Sequence, residues 1–216
     1  MLDDIISENT MCSRFRQRSL AQALSEVLSN SIAGDFVECG TWRGGLAALV
    51  LSKLIADHHQ KKLYIYDTFE GMPAPSVKDD PRALEQYNQK QDGEYSNWCR
   101  AGLDTVKDTL SKVTENYEQH CVFVVGMVEE TLDSVVPDTI ALCRLDTDWY
   151  ESTKKELEVL YPRVSQGGFI IVDDYTDWSG CRTAVNEYLS NCDENSYTKE
   201  YSDGSLIIKK LLTGEQ

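Results

Sequence analysis

The stretch Ile140-Ala-Leu-Cys-Arg-Leu-Asp-Thr-Asp-Trp-Tyr-Glu-Ser-Thr153 decides how the chain folds. A short apolar run ends in two carboxylates two residues apart, Asp146 and Asp148, and then turns into a helical pattern. The design recurs where Gly168-Phe-Ile-Ile-Val172 runs into Asp173-Asp174. An apolar run followed by a helical period is a βα unit, and open α/β sheets keep their ligands at the carboxyl ends of their strands. Four carboxylates on that rim are hard to keep ionised without a cation, so the pattern points to a divalent metal. No histidine lies nearby in sequence. An oxygen-only donor set selects a hard cation, Mg²⁺ first, with Ca²⁺ or Mn²⁺ as alternatives.

The same alternation extends outward. Strands are expected at Phe36–Cys39, Lys62–Tyr66, Cys121–Val125, Thr139–Leu145 and Gly168–Val172. Helices are expected at Phe15–Ser31, from Gly45 to about Asp57, at Arg100–Asn116, Ser152–Val164 and Trp178–Leu189. A terminal hairpin, Tyr197–Tyr201 with Ser205–Lys209, turns at Asp203-Gly204. The result is a mainly parallel sheet with helices on both faces. Thr68 to Trp98 is the outlier. A connection of that length is uncommon in a compact domain, and it reads as an active-site lid with a helix at Pro81–Lys90 begun by Asp80-Pro81.

At 216 residues the chain is read as one domain, residues 34–216, preceded by a helical segment, residues 1–33. Its net charge is −15, which argues against a nucleic-acid partner, because that affinity rests on Lys and Arg displacing counterions. The longest wholly apolar run, Leu46–Leu51, is far short of a membrane span. The acidic start, Met1-Leu-Asp-Asp4, fits neither a signal nor a transit peptide, so a cytoplasmic enzyme is expected. Seven cysteines without CxxC spacing favour reduced thiols, with Cys39, Cys121 and Cys143 as core residues.

Three features bear on the ligand. Glu38-Cys-Gly-Thr-Trp-Arg-Gly-Gly45 is a glycine-rich turn between the first strand and its helix, where backbone N–H groups and missing side chains let a ligand approach. An ordinary strand–helix turn is the plain alternative. The spacing is not G-x-G-x-x-G, no G-x-x-x-x-G-K-[ST] exists, and Glu38 suits a cationic ligand better than a phosphate. Asp67, ending the second strand, could accept both hydroxyls of a ribose or serve as a turn residue. Together these suggest an adenosyl ligand without phosphates, S-adenosylmethionine.

The base can be narrowed by elimination. His58 and His59 fall at the far end of the first crossover helix and His120 ahead of the third strand, all away from the metal rim. A carboxylate must then act, and Asp148 is the choice, with Asp146, Asp173 and Asp174 as metal ligands. Asp148 with Glu151 also fits a capping box, and Asp177 a cap for the helix at Trp178. Capping does not account for Asp146, Asp173 and Asp174.

Four motifs taken together resemble the macrocin/mycinamicin-type sugar O-methyltransferases, which act on macrolide and aminocoumarin deoxysugars. These are Gly34-Asp-Phe-Val-Glu-Cys-Gly-Thr-Trp-Arg-Gly-Gly45, Tyr66-Asp-Thr-Phe-Glu-Gly-Met-Pro73, Leu145-Asp-Thr-Asp-Trp-Tyr-Glu-Ser-Thr153 and Gly167-Gly-Phe-Ile-Ile-Val-Asp-Asp-Tyr175. The resemblance implies a Rossmann-like class I methyltransferase with a seven-stranded sheet, an S-adenosylmethionine donor, Mg²⁺ and a glycosylated small-molecule acceptor. By position it makes Asp146, Asp173 and Asp174 the ligands and Asp148 the base. Glu38, Cys39, Gly40, Thr41 and Trp42 would line the methionine end of the donor. Asp67, Thr68, Phe69, Glu70 and Gly71 would surround the ribose, and Gly126 and Met127 the adenine. Thr10 and Met11, ahead of Ser13 and Arg14, resemble a cofactor-touching segment. Relatives often carry a longer N-terminal part that shapes acceptor site and dimer, so a homodimer is left open. A catechol or vicinal-diol O-methyltransferase is a close rival. A metal-dependent Asp-x-Asp glycosyltransferase and a binding module without chemistry are more distant ones.

Overall fold

The computed structural model describes residues 2–56 and 60–211. Its centre is a seven-stranded sheet, built from β1 (Asp35–Cys39), β2 (Leu63–Asp67), β5 (Cys121–Val125), β6 (Ile140–Leu145), β7 (Val164–Val172), β8 (Tyr197–Ser202) and β9 (Ser205–Lys210). A separate two-residue pair, β3 (Gln91–Asp92) with β4 (Tyr95–Ser96), closes a small hairpin. The order in the large sheet is β5-β2-β1-β6-β7-β9-β8, parallel except where β9 runs against β7 and β8. The expected strands and closing hairpin are all present. Asp203 and Gly204 both take positive φ, 48° and 92°, as a two-residue hairpin turn of primed type requires.

Helices cover both faces. On one side α1 (Leu2–Glu8), α2 (Arg14–Ser29), α3 (Gly45–Ala56) and α5 (Leu103–Ser111) pack on Phe36, Leu142 and Phe169. On the other, α4 (Pro81–Lys90), α6 (Val128–Thr131), α7 (Tyr150–Leu160) and α8 (Ser179–Leu189) pack on Val37, Cys143 and Ile170. Neighbouring strand residues therefore belong to different cores, as a sheet buried on both faces demands. None of the described helices is long and apolar enough to cross a membrane. All seven cysteines are free thiols, and Cys39, Cys121 and Cys143 are buried.

The carboxyl ends of the parallel strands are held level by one further rung of hydrogen bonds. Gly126 N–H donates to Asp67, Gly40 to Tyr66, Asp146 to Cys39 and Asp173 to Leu145, each between backbone groups. The candidate residues Asp67, Gly40, Asp146, Asp173 and Gly126 thus form a row along one edge. Connections leave β1 toward β2 and β6 toward β7, so the crevice at the switch of direction lies between β1 and β6.

Several expected boundaries move. The helix placed at Ser152–Val164 runs Tyr150–Leu160. Pro162 has no N–H to donate to Glu158, the chain tightens into a 3₁₀ turn at Tyr161–Arg163, and β7 starts four residues before Gly168. Arg100–Asn116 shortens to Leu103–Ser111, with Gly102 as its extended N-cap. Asp57, His58 and His59 lie outside the described residues. Helices α1 and α6 had no periodic signal long enough to see.

The caps of α7 and α8 differ from expectation in an informative way. Neither Asp148 nor Asp177 caps a helix; Trp149 and Trp178 occupy the N-cap positions and offer no capping oxygen. The 68–98 segment supplies both caps from consecutive residues. Asp79 Oδ1 accepts from Tyr150 N–H at 2.7 Å, and Asp80 Oδ2 from Ser179 N–H at 2.9 Å. Gly180 leaves the room: a Cβ there would stand 1.9 Å from Asp79 Oδ1. Around these caps Trp98, Trp149 and Trp178 meet edge to face at 5.3–5.8 Å, and Arg82 lies over Trp178. Asp79→Ala and Asp80→Ala should each lower stability by about 1 kcal/mol, the usual worth of an N-cap, as measured by urea unfolding.

Candidate active site

A cavity opens at the carboxyl edge of β1, β2, β5, β6 and β7. Its wall includes Gly40, Trp42, Asp67, Thr68, Gly71, Gly126 and Met127 on one side and Asp146, Asp148, Asp173 and Asp174 on the other. Met11, Cys12 and Arg16 reach it from the N-terminal segment, and Met72 and Pro73 from the 68–98 segment.

The glycine turn is pinned from within. Asp67 Oδ2 accepts from Thr41 N–H at 2.8 Å and Trp42 N–H at 3.3 Å, and its Oδ1 from Phe69 N–H at 2.8 Å. Burial raises its pKa, and these three donors oppose the shift. With the neighbouring Thr68 side chain also favouring the ionised form, Asp67 holds the turn as a carboxylate acceptor. Gly40 has φ 77°, and a Cβ there would lie 2.1 Å from the Asp146 carbonyl oxygen. Only glycine lets the turn lie against the carboxylate loop.

That loop has a tight geometry. Trp149 N–H donates back to the Thr147 carbonyl at 2.7 Å, with Asp148 between them at φ 66°. An i→i+2 bond with positive φ is a γ-turn of the strained hand, and it turns the Asp148 side chain away from any capping position.

Sequence reasoning missed the cations. Arg144, the one charged residue in β6, is 3% exposed and registers opposite Glu38 on β1. Its Nη1 donates to Glu38 Oε1 at 3.2 Å. Its Nη2 donates to Asp146 Oδ2 at 2.6 Å and Cys12 Sγ at 2.9 Å, and lies 3.1 Å from Asp173 Oδ1. Arg16, on α2, donates through Nη1 to Asp173 Oδ2 at 2.7 Å. Glu38 therefore faces Arg144 and the Thr41 hydroxyl rather than the cavity, and the expectation that it selects a cationic ligand loses its basis.

Two groups of side chains could gather a metal among the described residues, Cys12 with Asp146 and Asp173, and Asp146 with Asp148 and Asp174. The first encloses Arg144 Nη2, which already touches all three members. The second has donor oxygens within 4.8 Å of one another, and Asp174 Oδ2 is buried without a hydrogen-bond partner. Burial raises Asp146 and Asp174 well above the ordinary carboxylate range, and pushes Asp148 up to about 7. Two guanidiniums do not neutralise Glu38 and four aspartates. The orphaned oxygen and the all-oxygen donors suit a hard divalent cation. Asp173, expected as a ligand, has both oxygens on arginines.

Comparison with known proteins places this site in a family. The chain matches macrocin-O-methyltransferase (TylF) over residues 3–196. It belongs to the macrocin-O-methyltransferase family. The demethyldecarbamoylnovobiocin O-methyltransferase of Streptomyces niveus is 33% identical over 193 residues, 86% of this chain and 69% of that one. A Streptomyces olivaceus enzyme, 8-demethyl-8-(2,3-dimethoxy-alpha-L-rhamnosyl)-tetracenomycin-C 4'-O-methyltransferase, is 34% identical over 83% of this chain and 67% of its own. The solved structure of the O-methyltransferase NovP superposes with a TM-score of 0.82 at 29% identity, covering 94% of this chain and 83% of that one. The fold is that of a class I methyltransferase, and the protein is an S-adenosylmethionine-dependent O-methyltransferase.

Within this macrocin-O-methyltransferase fold, the donor residues expected from sequence divide into two groups. Met11, Gly40, Trp42, Asp67, Thr68, Gly71, Gly126 and Met127 stand on the cavity wall. Thr10, Glu38, Cys39, Thr41, Phe69 and Glu70 stand behind it. Cys39 and Phe69 are core residues, Thr10 Oγ1 accepts from Cys12 N–H, and Glu70 pairs with Arg100 at the surface. His120 ends on the opposite edge, its carbonyl accepting from Leu63 at the start of β2.

Glu156 was also unforeseen. It is fully buried under the Asp146–Asp148 turn, with Oε1 accepting from the Thr147 hydroxyl at 3.0 Å and Oε2 unpartnered. Burial raises its pKa well above the ordinary value of 4.5, which favours the protonated form in the folded protein. The folded state then binds more protons than the unfolded one. Its contribution is full below the unfolded value and is lost as pH rises toward the folded one. Glu156→Gln should raise the melting temperature at pH 8 and change it little at pH 4, followed by circular dichroism.

Proposed function

We propose that the protein transfers the methyl group of S-adenosylmethionine to a hydroxyl of a sugar carried by a small molecule, with Mg²⁺ at the aspartate cluster. The observation that carries this reading is the shared cavity. Gly40, Trp42, Asp67, Gly126 and Met127 face Asp146, Asp148, Asp173 and Asp174 across it. The sugar comes from the relatives, since the tetracenomycin enzyme's name places its methyl on a rhamnosyl-bearing compound.

A sugar hydroxyl is a poor nucleophile at neutral pH, whereas a sulfonium methyl is already activated. The chain's task is to orient the donor, take a proton from the hydroxyl and exclude water. The turn at Gly40 to Trp42 would hold the methionine end of the donor, Asp67 the ribose, and Gly126 with Met127 the adenine. Asp146, Asp173 and Asp174 would hold Mg²⁺, which supplies Lewis acidity toward a neighbouring hydroxyl when bound. Asp148 would accept the hydroxyl proton at a carboxylate oxygen, positioned by its γ-turn. General-base help of this kind is worth about 10²–10⁴-fold. Residues 1–33 and 68–98 would form the cover and lid that select the acceptor over the 34–216 domain.

Three experiments test this. Calorimetry should give saturable S-adenosylhomocysteine binding to the native chain and to Asp146→Asn alike. Transfer of labelled methyl to a panel of deoxysugar-bearing compounds should vanish in Asp146→Asn and in EDTA; full turnover in EDTA would remove the metal. Label appearing only on catechols would replace the sugar acceptor. Asp148→Asn should lower kcat by about 10²–10⁴-fold while Mn²⁺ affinity stays within a few-fold, and an unchanged kcat would remove Asp148 as base.

A further inference from the structure

Arg16 is the cavity-wall cation the proposed reaction does not use. It is held on every side: Nε donates to the Asp203 carbonyl at 2.8 Å, Nη2 to Asp177 Oδ2, and Nη1 to Asp173 Oδ2 at 2.7 Å. Nη1 also stands 3.6 Å from Asp174 Oδ1. The guanidinium therefore bridges the adjacent carboxylates Asp173 and Asp174 from the cavity side, where a divalent cation would join them. Asp173 has no oxygen to spare, because Arg144 takes Oδ1. Asp174 has one, the buried Oδ2 that accepts nothing.

These contacts set up a competition. Mg²⁺ binds carboxylate oxygens at about 2.0–2.1 Å and demands near-octahedral geometry. A guanidinium nitrogen on Asp173 Oδ2 occupies the approach to that oxygen and repels a second cation. Cations a few ångströms apart in a partly buried site repel each other far more than in water, because the effective dielectric there is much lower. Arg144 is different in kind, because it is buried in the sheet and paired with Glu38. Arg16 comes from a helix that precedes the sheet and lies at the cavity wall.

We infer that Arg16 is a resident counter-cation of the aspartate cluster, bridging Asp173 and Asp174 when no divalent ion is bound and yielding Asp173 Oδ2 when one arrives. Two consequences follow from its position. The metal-free cluster is kept folded by a tethered charge, at the expense of metal affinity. The state of the site is also reported to α2, because the side chain that moves is anchored near the start of that helix. This rests on the metal reading above, and the test separates the two.

The test is direct Mn²⁺ titration of the full chain, with free Mn²⁺ read by electron paramagnetic resonance, for the native protein, Arg16→Gln, Arg16→Lys and Asp174→Asn. Arg16→Gln should bind Mn²⁺ at least about tenfold tighter than the native chain, and Arg16→Lys should fall between, since an ammonium keeps the charge without the fork. In EDTA Arg16→Gln should melt at a lower temperature than the native chain, with the difference narrowed or reversed at saturating Mn²⁺. Equal or weaker Mn²⁺ affinity in Arg16→Gln, with the native chain binding and Asp174→Asn not, would overturn the role of Arg16 and leave the metal site standing. No Mn²⁺ binding by any folded variant would overturn both. If Arg16→Gln does not fold, Arg16→Lys decides: affinity at or below native overturns the inference.

Discussion

Arg144 is the interaction on which the site depends. A guanidinium on a central strand, 3% exposed, is tolerable only because Glu38, Asp146 and Asp173 surround it. Each of those carboxylates is in turn tolerable because of Arg144. Removing one partner of such a buried set typically costs about 3–5 kcal/mol, since the other charge is left without compensation. The arrangement also fixes three strands in register at the edge where the cavity opens. Glu38 from β1, Asp146 after β6 and Asp173 after β7 are set by one side chain, and the donor turn lies against the same loop through Gly40.

The sequence made the edge of the sheet legible because the relevant signals are local. Apolar runs ending in Asp146 and Asp173, the glycine turn and the Asp203-Gly204 hairpin all state their geometry within a few residues. What it hid is non-local. Arg16 meets Asp173 across 157 positions, and Asp79 caps a helix 71 positions away. No periodicity records such a meeting. In sequence Asp148 fits both a base and half of a capping box; its positive φ removes the second, and residue type alone does not reveal φ. Arg144 was the recoverable omission, since a lone charge inside Ile140–Leu145 had to find partners in a buried strand.

The 68–98 segment has more structure than the sequence suggests. A long excursion with Gly71, Pro73, Pro75 and Gly93 reads as an active-site lid, and Asp79 and Asp80 tie it to the first turns of α7 and α8, where three indoles close around the junction. Those two helices begin shortly after Asp148 and Asp174. Displacing the segment would therefore disturb the helices that follow the aspartates, so the cavity wall at Met72 and Pro73 is linked to the geometry of the carboxylates.

The turn at Asp148 carries a different kind of consequence. A non-glycine residue at φ 66° in an i→i+2 turn holds a conformation costing about 1–3 kcal/mol, and it does so with a carboxylate crowded by others. Natural selection for stability alone would favour glycine there, and asparagine would tolerate the backbone while removing the charge. Under the proposed base role of Asp148, robustness and activity would pull in opposite directions here. Libraries screened only for thermal tolerance would drift toward glycine or asparagine in place of Asp148, giving up the proposed base for a sturdier fold.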